Sequence, residues 1–310
     1  MSVTESVENS IIFGPINSRR FGMSLGVDLS PSTKQCNFDC LYCELLPSAT
    51  VSKQNKTVEV LQIINELKKH LNKNIDVITL TANGEPTLYP HLDTLIDEID
   101  KIKNDTQTLI LTNSATLIND TVFNTLLKLD QVKLSLDAIS ENIFKKIDRP
   151  HPTVDIGNIA SKVIEFSKSY KGKLYIEILF VHTLNDTKEE ISKLNDTLMK
   201  LDATRIDLGT IDRPPAYNVK GLDYRELYDI SLMFDSSLPI HIASRKQAKV
   251  KTSNYNEAEI LNTLGMRPLT MDDIDLLFDK QSKEKLNNLI SNKKILKKTI
   301  SNIEFLTTKP

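Results

Sequence analysis

All three cysteines of this 310-residue chain lie within eight positions, in the stretch CNFDCLYC that runs from Cys36 to Cys43. Their spacing, C-x3-C-x2-C, places three thiols on one short segment, and thiolates are strong metal ligands. A structural zinc site needs four ligands, often in two separated pairs, and the chain has no fourth cysteine. A thioredoxin-type dithiol needs only two of the three thiols and leaves Cys36 without a role.

A cubic [4Fe–4S] cluster accounts for all three cysteines, Cys36, Cys40 and Cys43. Such clusters are held by cysteine thiolates, and one short loop can reach three of the four irons. The fourth iron then stays open for a ligand that is not a residue, which makes the cluster a site of reaction as well as an electron carrier. We predict this cluster, with zinc and a redox-active dithiol as the alternatives.

The cysteines follow the first of six short segments that are rich in Val, Ile, Leu and Thr. Such segments predict strands buried on both faces, as in a parallel sheet. Amphipathic helical segments alternate with them, and repeated βα units predict an α/β fold, either an open doubly wound sheet or a partial barrel. Both fold types bind ligands at the carboxyl ends of their strands. The predicted strands are residues 24–29, 76–83, 107–113, 131–138, 173–181 and 205–211, and the helices include residues 58–71, 91–103, 120–129, 187–201 and 224–234.

The pattern changes near the C-terminus, where three short helical runs precede two β-like runs. Ser282 is a possible N-cap of the third helix. Three helices and a hairpin predict a mainly helical, winged-helix-like module. We therefore expect an N-terminal extension (1–23), a core (24–245) and a C-terminal module (250–310). The helical runs are residues 256–265, 270–278 and 282–290, and the β-like runs are residues 294–300 and 302–308.

Together these features resemble the radical S-adenosylmethionine (SAM) superfamily, whose signature is C-x3-C-x2-C after a first strand with an aromatic residue before the last cysteine. NGEP, after the second strand, is similar to the motif that holds the SAM amino group. LSLDA resembles the ribose-binding strand, and LNDT a turn near the nucleoside. The resemblance implies a partial (βα)6 TIM-like barrel, a [4Fe–4S] cluster and bound SAM. The implied cofactor-binding residues are Tyr42, Asn83, Gly84, Glu85, Pro86, Ser135, Asp137 and Asn185.

Each of these motifs also has a purely structural interpretation. Residues 84–86 could form an ordinary turn. Asp137 could cap a helix that starts near Ser140, and Asn185-Asp186 could cap the helix that begins at TKEE.

The resemblance also implies a mechanism. The amine and carboxylate of SAM chelate the open iron, and a flavodoxin- or ferredoxin-type donor reduces the cluster. The electron cleaves SAM and yields a 5′-deoxyadenosyl radical that abstracts hydrogen from the substrate. The cofactor supplies this chemistry, while the protein positions it and excludes water and oxygen.

Three flanking segments resemble the wyosine-synthase-related branch of the superfamily and its bacterial members. They are FGPINSRRFGMSLGVDLSP (13–31), IDRPHP (147–152) and TIDRPPA (210–216). Wyosine synthases rebuild a methylated guanosine in tRNA with pyruvate, and they carry upstream cysteines for a second cluster. This chain has no cysteine before Cys36, so we expect no pyruvate site on a second cluster and only the general class to apply.

Candidate substrate contacts are mainly basic. Guanidinium groups suit phosphate or carboxylate recognition, although ion pairs at a barrel rim explain them as well. His151 and His182 are candidates for proton transfer. The whole chain has a formal charge of −2, yet residues 241–310 contain 13 Lys and Arg against 8 Asp and Glu. The arginines are Arg19, Arg20, Arg149 and Arg213, and the possible nucleic-acid contacts are Lys293, Lys294, Lys297 and Lys298.

The sequence starts with the polar, acidic stretch MSVTESVENS and has no apolar run of the roughly 20 residues that a membrane span needs. We therefore expect a cytoplasmic protein. The leading hypothesis is a single-cluster radical enzyme that modifies RNA, with a tRNA base as the target. The alternatives are a radical enzyme acting on a small molecule or peptide, and a nucleic-acid-binding redox sensor.

Overall fold

The computed structural model describes residues 11–18, 20–71, 74–242, 252, 254–266, 268–300 and 303–308. Its main feature is one sheet of eight strands that follow one another in chain order. The first strand is antiparallel to the second, and all later neighbours are parallel. The strands are β1 (Ile12–Ser18), β2 (Gly22–Asp28), β3 (Val77–Thr81), β4 (Gln107–Thr112), β5 (Gln131–Ser135), β6 (Lys173–Phe180), β7 (Arg205–Thr210) and β8 (Ile240–Ile242).

Seven helices follow the strands and cover one face of the sheet. Their apolar stripes are buried against it: in the first helix Ile63, Ile64 and Leu67 lie in the core, while the last turn carries basic residues. The sheet is thus a partial barrel of βα units, as predicted. The helices are α1 (Val60–His70), α2 (Leu92–Asp100), α3 (Asp120–Leu126), α4 (Glu141–Ile147), α5 (Ile156–Ser169), α6 (Lys188–Leu198) and α7 (Tyr224–Ser231).

The two faces of the strands differ in polarity. In β6, Ile176 and Ile178 belong to the core beneath the helices, whereas Tyr175 and Glu177 alternate with them and point to the opposite side. Lys133 of β5 and Asp207 of β7 are likewise buried on that side. The strands are buried on both faces, as expected, but their inner face is polar. Buried charges are tolerated on that face because they pair with one another.

All six predicted strands are present as β2 to β7. The flanking strands β1 and β8 were not predicted. β1 lies within the segment interpreted as an N-terminal extension, and β8 has only three residues. The prediction overlooked β1 because Gly14, Pro15 and Asn17 interrupt its alternation, and a register shift between Phe13 and Ile16 breaks its pairing.

The C-terminal module has the predicted three helices and hairpin, with one additional short strand. Its three strands form a small antiparallel sheet in the order β10–β11–β9. Helix, strand, helix, helix and hairpin is the order of a winged helix. The elements are α8 (Glu257–Met266), β9 (Leu269–Thr270), α9 (Met271–Leu277), α10 (Lys280–Ser291), β10 (Leu296–Ile300) and β11 (Ile303–Thr307).

The predicted N-cap at Ser282 is wrong. Helix α10 begins two residues earlier, and Asp279 caps it by accepting a hydrogen bond from the Ser282 backbone N–H. Ser282 is fully buried, and its hydroxyl bonds to the Asp279 carboxylate. Serine and aspartate cap helices equally well, so the sequence alone does not distinguish Ser282 from Asp279 as the N-cap.

The module packs against β1. The Tyr255 hydroxyl donates to the Pro15 carbonyl at 3.0 Å, and the Asn262 amide donates to the Ile12 carbonyl at 3.1 Å. Ile16 lies in the same hydrophobic cluster as Ile260 and Leu264 of α8. β1 therefore pairs with β2 of the barrel through its backbone, and it contacts the module through two backbone carbonyls and the Ile16 side chain. Within the described residues, no helix is both long and apolar enough to cross a membrane.

Candidate functional site

The cysteine-bearing loop connects β2 to α1 and contains neither a helix nor a named strand. It starts at Asp28, whose buried carboxylate accepts hydrogen bonds from the backbone N–H groups of Ser30 and Asn83, both at 2.8 Å. The same oxygen therefore ties the start of the loop to the start of the NGEP segment, which follows the neighbouring strand β3.

Gln35 joins the cysteine loop to NGEP more closely. Its N–H donates to the Asn83 carbonyl at 2.9 Å, and its carbonyl accepts from the Glu85 N–H at 3.0 Å. Gly84 lies between these bonds with a φ of 137°, and a Cβ there would stand 2.1 Å from the Gln35 oxygen. Only glycine permits this close approach, so the residue before Cys36 is held against the predicted SAM motif.

The segment after α4 clamps the other side of the loop. The N–H of Asp39 donates to the Asp148 carbonyl at 3.1 Å, and the N–H of Leu41 to the Ile147 carbonyl at 2.8 Å. In return, the His151 N–H donates to the Asn37 carbonyl at 2.7 Å. IDRPHP, one of the flanking segments noted in the sequence, thus lies along the loop between Cys36 and Cys43.

Asp39 is an electrostatic hub within the loop. Its carboxylate pairs with Lys34 at 3.1 Å and with Arg149 at 3.4 Å, and it accepts a hydrogen bond from the Tyr217 hydroxyl. The Arg149 guanidinium also lies over the Tyr217 ring, 4.6 Å from its centre. Burial raises the pKa of Asp39, but the bonds from Tyr217 and Lys34 outweigh it and lower the pKa.

The loop after β7 covers the last cysteine. The Ala216 N–H donates to the Cys43 carbonyl at 2.8 Å, and Arg213 forms an ion pair with Glu44. Burial tends to lower the pKa of Arg213, but Glu44 and Asp212 raise it. Arg149 and Arg213 thus both lie beside the cysteine loop, with side chains 44% and 33% exposed.

Of the other two predicted arginines, the structure describes Arg20. Arg20 comes from the β1–β2 hairpin at the opposite end of the strands and pairs with Glu177 at 2.9 Å and Asp207 at 3.2 Å. With Lys133, which also pairs with Glu177, they form a charged layer across the inside of the barrel. Arg19 lies outside the described residues.

The thiols of Cys36 and Cys40 are buried close to carboxylates. Burial, followed by the nearby Glu85 carboxylate, raises the pKa of Cys36 to about 12. Burial and Asp148, whose carboxylate accepts from the Cys40 Sγ at 3.4 Å, raise the pKa of Cys40 as well. Without a cationic partner these thiols stay protonated, whereas a metal centre displaces thiol protons outright.

The donor set fits an iron–sulfur cluster. In the part of the chain that the structure describes, no three His, Cys, Asp or Glu side chains converge on the position of a single metal ion. A single zinc ion needs such convergence, whereas a cubic cluster offers a different iron to each thiolate. Cys36, Cys40 and Cys43 on one loop therefore suit the cluster better than a mononuclear metal.

The Glu85 carboxylate forms its hydrogen bonds with groups of the protein. Its carboxylate is 2% exposed and accepts four hydrogen bonds, from the N–H and hydroxyl of Thr87, the Thr112 hydroxyl and the Asn113 N–H, at 2.6–3.0 Å. Burial raises its pKa despite these donors. It also caps the short helical turn that begins at Pro86, so these residues do form a turn, as the structural interpretation predicts.

The predicted nucleoside residues meet at the ends of β5 and β6. Asp137 accepts from the Tyr42 hydroxyl and, at 2.7 Å, from the Leu179 N–H. Burial raises the pKa of Asp137 to about 7. Asn185 accepts from the Val181 N–H at 2.8 Å and donates to the Asp137 carbonyl, also at 2.8 Å. Tyr42, Ser135 and Asp137 line one cavity of about 10 Å³.

Both capping interpretations of these residues are wrong. Helix α4 is preceded by Ser140, and Asp137 bonds elsewhere. Thr187, one residue after Asp186, caps α6. Asn185 instead links the two strand ends.

The predicted proton-transfer histidines lie in two separate loops. His151 Nδ1 is 2.8 Å from the Thr153 hydroxyl, and His182 Nδ1 is 3.4 Å from the Asp186 carboxylate.

Sequence reasoning missed Asn113, the residue that directly follows β4. Its side-chain amide donates to Asn37 Oδ1 at 2.6 Å and to Cys36 Sγ at 3.8 Å. It lines the same cavity as Tyr42 and Asp137. The available signal was its position, since a polar residue after a buried strand reaches the same edge as NGEP and LSLDA.

Comparison with known proteins gives a consistent result. Residues 30–194 match the family model of the Radical SAM superfamily. A UPF0026 protein of Helicobacter pylori is 39% identical over 301 residues, which are 95% of this chain and 96% of that protein.

Two solved structures share the fold. The structure of TYW1 with a lysine-pyruvate adduct bound has a TM-score of 0.54 at 20% identity, over 73% of this chain and 76% of that one. Streptococcus suis SuiB bound to S-adenosylmethionine has a TM-score of 0.51 at 17% identity, over 68% of this chain and 46% of that one.

Gly84→Ala tests the close contact between NGEP and the cysteine loop. We expect a loss of at least about 2 kcal/mol in the free energy of unfolding of the apoprotein, because the new Cβ meets the Gln35 carbonyl at a strained φ. Urea unfolding measures it, together with iron content after reconstitution. The control is Gly209→Ala, where a Cβ meets nothing closer than 3.9 Å. Equal stability of the two variants would refute the constraint.

Glu177→Gln tests the charged layer. Burial raises the pKa of Glu177, but Lys133 and Arg20 outweigh it and hold the pKa at about 2. A lowered pKa stabilises the fold above the unfolded value of about 4.3, and this stabilisation is lost as the pH falls towards 2. We expect the free energy of unfolding of the wild type to exceed that of Glu177→Gln by about 3 kcal/mol at pH 6. At pH 3 we expect this difference to be smaller by about 2 kcal/mol.

Urea unfolding of the apoprotein at both pH values measures this difference. Glu165→Gln is the control, because Glu165 is 56% exposed and pairs with Lys162 at the surface of α5. A stability gap for Glu177→Gln that does not change with pH would contradict the assignment.

Proposed function

The chain belongs to the radical SAM superfamily and, within it, to the family of the UPF0026 proteins, and from that premise we propose a single-cluster radical enzyme that modifies a base of tRNA. Enzymes of this superfamily use a [4Fe–4S] cluster and S-adenosylmethionine, and they take an electron from a reductant. The chain's three cysteines suffice for one cluster.

We assign Cys36, Cys40 and Cys43 as the cluster ligands. One-electron reduction of the bound cluster supplies the reductive cleavage of SAM to a 5′-deoxyadenosyl radical. Gly84 brings the NGEP backbone within hydrogen-bonding distance of Gln35, so Asn83 and Gly84 stand beside the cysteine loop. We assign the methionine end of SAM to this backbone and to Pro86, with Glu85 as the buried brace that fixes its shape.

The ribose and base of SAM are assigned to the ends of β5 and β6. Ser135 and Asp137 lie there with Tyr42, and all three line one cavity. Asn185 holds the Asp137 carbonyl and the Leu179 carbonyl, at 2.8 and 2.9 Å, and so fixes the separation of the two strand ends. In this assignment Asn185 acts on the nucleoside indirectly, by positioning Asp137.

The C-terminal module carries the proposal of an RNA substrate. Lys293, Lys294 and Lys298 are exposed at the hairpin end of the module, and none has an ion-pair partner among the described residues. Lys297 pairs with Glu304 at 2.8 Å. Unpaired ammonium groups on a module that packs against β1 suit a phosphate backbone, and the wyosine synthases that the flanking segments resemble act on tRNA.

One observation favours the second candidate, a small-molecule or peptide substrate. A cavity of about 260 Å³ lies between the loop after β7 and the module, lined by Arg213, Lys220, Pro214 and Phe305 among others. The cavity opens beside the loop that bonds to Cys43, and its size suits one small ligand.

Cleavage of SAM tests the enzyme class. After anaerobic reconstitution, dithionite and SAM should yield 5′-deoxyadenosine from wild type, while Cys40→Ala should bind less iron and yield none, because one thiolate is lost. Liquid chromatography with mass spectrometry measures the product. A fully loaded wild-type cluster that cleaves no SAM would exclude a radical SAM enzyme.

The three unpaired lysines test the RNA substrate. Changing Lys293, Lys294 and Lys298 together to Gln should weaken tRNA binding and lower the salt slope of log K by about 2, since each lost phosphate contact removes about 0.7–0.9. Filter binding at several salt concentrations measures the slope. The charge-matched control changes Lys168, Lys171 and Lys173, which are exposed where α5 ends and β6 begins.

The nucleosides of bulk tRNA from cells with and without the gene complete this test. A modified nucleoside that depends on the gene supports the tRNA substrate. Identical profiles, with equal salt slopes for both triple variants, would favour the small-molecule or peptide candidate.

A further inference from the structure

Asn113 is fixed in place by both its backbone and its side chain. Its N–H donates to the buried Glu85 carboxylate at 2.8 Å. Its side-chain oxygen accepts from the Ala115 N–H at 3.1 Å. A backbone N–H can only donate, so this bond identifies the oxygen of the amide and leaves the NH2 group pointing to the cysteine loop.

The NH2 group has two hydrogens and two acceptors. One is Asn37 Oδ1 at 2.6 Å and the other is Cys36 Sγ at 3.8 Å, within the range for hydrogen bonds to sulfur. Cys36 Sγ also accepts from the Phe38 N–H at 3.4 Å. Two N–H donors therefore converge on one sulfur.

The other cysteines have different surroundings. Cys40 Sγ faces the Asp148 carboxylate at 3.4 Å. Cys36 and Cys40 thus differ in their surroundings, and a side-chain N–H contacts the Cys36 sulfur. Glu85 supports this contact indirectly, because its carboxylate, which caps the turn in NGEP, also accepts a hydrogen bond from the Asn113 N–H.

We propose that Asn113 is a positioning residue that raises the reduction potential of the cluster by donating a hydrogen bond to the Cys36 thiolate. A reduced cluster places more negative charge on its sulfur ligands, so an N–H donor stabilises the reduced form more than the oxidised form. The inference goes beyond the proposed substrate and rests only on Cys36 being a cluster ligand.

Two substitutions remove the donor in different ways. Asn113→Leu keeps the approximate volume without the N–H, and Asn113→Asp keeps the oxygen for Ala115 but turns a negative oxygen to the sulfur. The potential should fall in the order wild type, Asn113→Leu, Asn113→Asp. For Asn113→Leu we expect at least about a threefold smaller equilibrium constant for one-electron reduction, which is about 30 mV at 59 mV per tenfold.

A redox titration of the reconstituted protein, followed by electron paramagnetic resonance, measures the potential. The control is Asn119→Ala, which removes the amide that caps α3 by accepting from the Thr121 and Val122 N–H groups. It should lower stability by about 1 kcal/mol without moving the potential. A loaded cluster with wild-type potential in both Asn113 variants would overturn the inference.

A second measurement tests the inference even if the Asn113 variants bind no cluster. In the reduced wild-type protein with 15N in asparagine side-chain amides, pulsed paramagnetic resonance should show a nitrogen coupling to the cluster. Its absence would overturn the inference. Its persistence in Asn37→Ser would assign it to Asn113. Failure of the proposed function gives a different result, namely a wild-type protein that binds no cluster or that binds one and cleaves no SAM.

Discussion

The cysteine loop must be rigid although it contains neither a helix nor a named strand. Its backbone groups cannot satisfy one another as they would in a regular element, so they bond to neighbouring segments. NGEP holds Gln35, the segment after α4 holds residues 37–41, and the loop after β7 holds Cys43. The barrel brings these segments together because the carboxyl ends of parallel strands meet at one edge. The positions of the thiols therefore depend on the whole barrel.

This constraint changes how the motif residues act. Glu85 and Asn185 are charged or polar residues of a kind that binds ligands, yet each uses its polar atoms within the protein. A buried carboxylate without these donors would be costly, and with them it fixes the shape of the loop. Sequence motifs identify which residues the site needs, but they do not separate the groups that touch a ligand from those that orient such groups.

The sequence was sufficient for the parts of the fold that local pattern decides. Strands β2 to β7 were predictable from their buried apolar runs, and the cluster from three cysteines on one loop. β1 was not, because its pairing depends on a hairpin and a register shift. The cap at Asp279 was not predictable, because the sequence offers two equally good capping residues there. The contact of Asn113 with Cys36 was not predictable, because these residues meet only through the tertiary fold. The domain boundaries, like the substrate contacts at Arg149 and Arg213, remain predictions.

The loop after β7 connects the cluster side of the molecule to the module. It bonds to the Cys43 carbonyl through Ala216 and pairs with Glu44 through Arg213. It also shares a cavity with Phe305 of β11. The module in turn is fixed to β1, whose backbone pairs with the first parallel strand of the barrel. A ligand in that cavity would contact the same loop that holds the last cysteine. The loop after β7 therefore both supports the cysteine loop and borders the cavity beside the module, so a change in one of these contacts is transmitted to the other through a single segment.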